Sequence, residues 1–81
     1  MEKQKFPKLK KGVYRHYKGN LYRLIAEAHH SETLEPIVVY QALYDTEDFG
    51  SQPFWVRPRG MWDEPVEWEG KTVPRFVWVK E

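Results

Sequence analysis

Short runs in which apolar and polar residues alternate dominate this chain, and a period of two marks β-strands rather than helices. Gly12 opens a first strand, Val13 to Tyr17, with Val13, Arg15 and Tyr17 on one face and Tyr14 and His16 on the other. Lys18-Gly19-Asn20 reads as a tight turn, because Gly and Asn tolerate the positive φ that hairpins require. A second strand runs from Leu21 to about His29. Tyr22, Leu24, Ala26 and Ala28 form its apolar face, while Arg23 and Glu27 mark the solvated one. Its Leu and Ala content also suits a short helix, but the turn before it and the alternation favour the strand. Pro36 keeps the preceding HSETLE from continuing as a helix, since the residue before proline avoids the α region. Ile37 to Leu43 is then apolar on both faces apart from Gln41, as a central strand would be.

Tyr44 to Pro53 is acidic and turn-rich and reads as a loop. Phe54 to Arg57 is a short strand closed by Pro58, and Arg59 to Trp62 a compact turn of the 3₁₀ kind. Pro65 to Trp68 and Thr72 to Val79 form a last hairpin around Glu69-Gly70-Lys71. Pro74 cannot donate a ladder hydrogen bond, which places this strand's start at an edge. Five to six short strands with a tight turn before the last hairpin predict an all-β fold, a small SH3-like or Sm-like barrel over residues 12–81. Met1 to Lys11 lacks periodicity and is expected to be a flexible basic tail.

Length and composition narrow this further. One domain of 81 residues buries about 60% of its unfolded surface. With no cysteine, neither a disulfide nor a Cys-ligated zinc can reinforce it. The core must therefore come from rings, and the chain holds four Trp, five Tyr and four Phe. Met1 to Lys11 has no apolar core of a signal peptide, and no run approaches the ~18 apolar residues of a membrane span. A soluble cytoplasmic protein is the expectation. The net charge of +1 conceals an asymmetry. Residues 1–23 carry eight Lys or Arg against Glu2, a net +7, whereas residues 24–81 carry five against eleven acids, a net −6. A basic end of this kind suits either phosphate contacts or a solvated terminus.

The landmarks KGVYRHYKGN (Lys11 to Asn20), HSETLEPIVVY (His30 to Tyr40), WVRP (Trp55 to Pro58), Met61 and VPRF (Val73 to Phe76) stand in this order over most of the chain. Together they resemble a family of small bacterial proteins known as a domain of unknown function, numbered sixteen fifty-three. The resemblance implies a compact SH3-like or Sm-like barrel and no established activity. Trp62, where the family usually carries Phe, and the long acidic loop Tyr44 to Pro53 depart from its pattern.

Function has to be argued from the polar residues. Neighbouring side chains of an extended HHSET point to opposite faces, so His30 does not activate Ser31, and neither a G-x-S-x-G elbow nor a group orienting an imidazole accompanies them. His16, His29, His30 and Glu32 match no metal-ligand spacing. No enzyme activity, metal or cofactor is expected, and an enzyme using HSET is the least favoured alternative. Two readings stay open. In the first, Ser31 and Thr33 hydroxyls order a turn, and Glu32 or Glu35 pairs with Arg57 or Arg75 to plug one barrel end. In the second, Phe54 and Val56 fill the core while Trp55 and Arg57 stand outside as an aromatic–cation rim. The candidate binding residues are His16, His30, Glu32, Thr33, Tyr40, Trp55, Arg57 and Arg75. A non-enzymatic binding module follows, for a protein, a peptide or a small anionic ligand. Tyr14, Tyr17, Trp55 and Trp62 favour a peptide. The alternative is single-stranded nucleic acid, favoured by the basic N-terminal segment and opposed by the acidic body. No membrane partner is expected.

Overall fold

The computed structural model describes residues 6–81. Among the described residues nine strands follow one another: β1 (Val13–His16), β2 (Leu21–His29), β3 (Pro36–Ala42), β4 (Asp45–Thr46), β5 (Gly50–Ser51), β6 (Phe54–Pro58), β7 (Pro65–Trp68), β8 (Lys71–Pro74) and β9 (Phe76–Lys80). A 3₁₀ turn over Arg59–Met61 separates β6 from β7. Five strands form one antiparallel sheet in the order β6-β3-β2-β1-β9, and two small hairpins, β4–β5 and β7–β8, stand apart from it. The edge strands β6 and β9 do not pair with each other, so the sheet stays open where a closed barrel was expected. The predicted loop Tyr44 to Pro53 contains the β4–β5 hairpin. The predicted strand Thr72 to Val79 is divided at Arg75, and β8 pairs with β7 while β9 pairs with β1.

Alternation alone assigns the faces of β2 only halfway. Leu24 lies opposite Tyr40 and Ala26 opposite Val39, which leaves Ile25 as an extra residue, a β-bulge. Beyond it the phase of the strand is inverted. Glu27, expected on the solvated face, therefore stands beside buried Val38 on the inner face, and Ala26 is exposed. The same logic corrects β6. Trp55 lies opposite Tyr40 and Arg57 opposite Val38, both inner-face residues, while Phe54 and Val56 are 62% and 63% exposed. The expected face assignment of this strand is reversed.

The inner face holds the core: Tyr14, Leu24, Val38, Tyr40, Trp62 and Phe76, with Leu9, Tyr22, Trp55 and Trp78 packed around them. Trp62 follows the 3₁₀ turn and drops into the concave side, stacked on Phe76 at 3.9 Å and edge-on to Tyr14 and Tyr40.

Residues 6–11 lie against this sheet. Leu9 N–H donates to Glu27 Oε2 at 3.0 Å, the Tyr14 hydroxyl donates to the Lys10 carbonyl, and the Lys10 ammonium stands 3.6 Å over the Trp78 ring. The remainder of the expected tail, residues 1–5, lies outside the described residues. Gly12 ends the segment with φ +133°, and a Cβ there would meet the Lys80 carbonyl oxygen at 2.2 Å, so only glycine fits this approach.

Candidate functional site

The sequence-predicted residues separate into two groups. His30, Glu32 and Thr33 sit in the exposed β2–β3 connection. The His30 ring orders it, its Nδ1 accepting from the backbone N–H of Glu32 (3.1 Å) and Thr33 (3.3 Å). Thr33 Oγ1 accepts from Glu35 N–H at 3.2 Å, as an ST-turn requires. The His30–Glu35 and Leu34–His30 backbone bonds close the loop, and Leu34 takes φ +63°. The expected pairing of Glu32 or Glu35 with Arg57 or Arg75 is not made: the ion pairs among the described residues join Arg59 to Glu27 and Asp63, and Arg75 to Glu64. HSET is a self-ordered turn, separate from the arginines.

The second group does converge. His16, Tyr40 and Arg57 meet around the Phe76 ring on the inner face, with Trp55 flanking them, while Arg75 precedes Phe76 in the chain and adds its charge to the surroundings of His16. Cross-strand pairing puts His16 opposite Phe76, with ring centroids 5.1 Å apart. Tyr40 lies 5.7 Å from the same ring, and the Arg57 guanidinium stands 5.8 Å over it. Arg57 Nε donates to the Tyr40 hydroxyl at 3.4 Å, a long bond, and meets no carboxylate among the described residues. Arg75 gives Nη2 to Glu64 at 3.1 Å, yet its Nε is buried without a partner. Trp55 packs against the core and receives Phe49 edge-on at 5.0 Å.

Tyr22 packs edge-on to Tyr40, Tyr44 and Phe76 beside this group, and no local pattern marks Tyr22 and Tyr44 as a pair. Their hydroxyls bond at 2.6 Å, and burial together with that bond pushes the Tyr22 phenol well above its ordinary value. Two guanidiniums, an imidazole and paired phenols on an aromatic floor can hold an anion: the cations supply charge and the forked donors fix its orientation.

Residues 12–78 match the family described as a protein of unknown function, DUF1653. This chain belongs to the DUF1653 family. A crystal structure of a DUF1653 protein from Bordetella bronchiseptica is similar to it, with a TM-score of 0.78 and 38% identity over 88% of this chain and 87% of that one. No curated protein matches the chain. The described residues of this DUF1653 protein hold no helix long and apolar enough to cross a membrane.

His16 carries a pH signature. Burial lowers the His16 imidazole below its ordinary value, and Arg57, Arg75 and Lys18 push it the same way. The unfolded chain then binds more protons than the native one just below the ordinary value of about 6.5. Stability is therefore expected to fall as pH drops through that value, the loss levelling off once the native imidazole also protonates. His16→Gln should flatten this part of the profile, read from urea midpoints between about pH 7 and 5. A midpoint profile identical to that of the natural chain would contradict the assignment.

Proposed function

We propose that this DUF1653 protein is a non-enzymatic binding module, SH3-like in scale, that takes the carboxylate or phosphate of its ligand in the cleft between Arg57 and Arg75. The observation that carries the reading is the state of these two side chains. Arg57 is half-buried on an aromatic floor with no carboxylate partner among the described residues, and Arg75, whose Nη2 pairs with Glu64, buries an unpartnered Nε. Leaving a buried donor unmade costs on the order of 1–3 kcal/mol, a cost that an anion in the cleft would offset. The neighbouring imidazole, held towards its neutral form in the free protein, gains a reason to protonate when an anion arrives.

The test is a chemical-shift titration with inorganic phosphate and with acetate. Shifts should concentrate at Arg57, Arg75, His16 and Tyr40 and strengthen at acidic pH. Arg57→Ala should abolish them while changing stability by no more than about 1 kcal/mol, because no buried ion pair is broken. Uniform small shifts, untouched by Arg57→Ala, would dismiss the reading. Salt-sensitive binding of a single-stranded oligonucleotide that ignores Arg57→Ala would instead move the function to the basic N-terminal segment.

A further inference from the structure

Behind His16 lies a second feature that the cleft does not use. Tyr17, Trp68, Val73, Pro74 and Val77 enclose a groove of about 300 Å³ between the β7–β8 hairpin and strands β1 and β9. Tyr17 and Trp68 meet edge-to-face at 5.3 Å and form its aromatic end. Val77, half exposed, and Arg15 lie opposite each other across β1 and β9. The lining is mostly apolar, its charged members being Arg15 and the ionisable His16, with no acid among them.

Groove and cleft are neighbours by construction. His16 lines the groove and also packs on the Phe76 ring, over which Arg57 stands. Arg75 follows Pro74 of the groove and precedes Phe76 of the cleft floor, and its carbonyl accepts the Tyr17 N–H at 3.0 Å. Lys18, 5.8 Å over the Tyr17 ring, adds a further cation at the aromatic end. β9 also ends the sheet, with β1 on one side and no strand on the other among the described residues. An extended chain laid on such an edge gains main-chain hydrogen bonds, and pockets beside it select its side chains.

We propose that this surface docks an extended acidic peptide, one bulky apolar side chain filling the Tyr17–Trp68–Val77 groove and an adjacent carboxylate reaching the Arg57–Arg75 cleft. The choice of an acidic peptide rests on charge: Arg75 already pairs with Glu64, but Arg15, Lys18 and Arg57 have no carboxylate partner among the described residues and attract one, and the apolar groove rejects a ligand that is charged throughout. The proposal rests on the anion-binding reading of the cleft and adds the partner to it.

The experiment titrates the full chain with an acetylated, amidated hexapeptide, Glu-Asp-Leu-Glu-Val-Asp, followed by Trp fluorescence and amide shifts. A second peptide replaces its Leu by Ser, and inorganic phosphate serves as the anion alone. Trp68→Ala and Val77→Asp alter the groove at exposed positions, and Arg57→Ala alters the cleft. The expected result is that the Leu peptide binds at least about tenfold more tightly than the Ser peptide, and that each groove variant removes this preference, as loss of a hot-spot side chain does. Phosphate binding should survive both groove variants and fail in Arg57→Ala. Equal binding of the two peptides, or a preference unmoved by Trp68→Ala and Val77→Asp, overturns the peptide proposal while phosphate binding keeps the cleft. Absence of both phosphate and peptide binding overturns the cleft reading and the peptide proposal with it. Leu-peptide binding that ignores Arg57→Ala overturns the joint site.

Discussion

Trp62→Ala is expected to cost about 3–5 kcal/mol of stability, the range for truncating a fully buried Trp. The ring is 2% exposed and is the largest of the fully buried side chains. It stacks on Phe76 with planes only 8° apart and fills the space between Tyr14 and Tyr40, so its removal opens a void bordered by three rings. A domain of this size has roughly 4–12 kcal/mol in total, so the loss removes a large share of its stability and unfolds the chain at ambient temperature only at the low end of that range. Trp62→Phe keeps the stack and loses only the outer part of the indole, a cost of about 1–2 kcal/mol. Urea midpoints of the two variants measure the difference. A Trp62→Ala protein within about 1 kcal/mol of the natural chain would show that the inner face repacks freely. The Phe76 ring, which the anion cleft uses as its floor, would then have no fixed position.

The second large effect belongs to Arg59→Ala, expected to cost about 2–3 kcal/mol. Among the described residues Arg59 is the one charged residue buried in the core, with a side chain only 3% exposed. Its Nη1 donates to Asp63 Oδ2 and its Nη2 to the Pro7 carbonyl, both at 2.8 Å, while the guanidinium lies 5.0 Å over Phe6. Its Nε faces Glu27 Oε1 at 3.6 Å. Removing one partner of a fully buried ion pair costs about 3–5 kcal/mol, but Glu27 and Asp63 keep 30% and 61% of their side-chain exposure, so water recovers part of the loss. The loss should have a particular location. The Leu9 amide, bonded to Glu27, should lose hydrogen-exchange protection well before the β2–β3 amides do. Retained protection at Leu9 would show that residues 6–11 hold to the sheet without Arg59. Arg57→Ala is the natural control, one strand position before the turn and without an ion pair.

Arg59 and Arg57 show where a sequence reading stops. Both stand in one short stretch, RPRG, and nothing local distinguishes them. The Asp63 partner of Arg59 stands at i+4, within the reach of a local pattern. Pro7 and Glu27 are 52 and 32 residues away, and only folding brings them to it. The bulge at Ile25 had no signal either. An extra residue changes which side chains face inward, but leaves the amino-acid order as good an alternating pattern as before.

Local patterning along the chain dictates the element types and most of their limits. β2, β7, the 3₁₀ turn and the turns at Gly19 and Gly70 follow from alternation, proline positions and glycines, because these are restraints on neighbouring dihedrals. It also determined that an aromatic core must hold a chain without cysteine, and that Thr33 orders its own turn. Tertiary packing settles which faces are inward, that Arg57 meets His16 over Phe76 while HSET stands apart, and that Arg59 fastens residues 6–11 to the sheet. The reason is the range of the interaction. Dihedral preferences act between neighbours in the chain, whereas strand register and ion pairing are settled by the burial of side chains far apart in sequence, and a single bulge is enough to invert their faces.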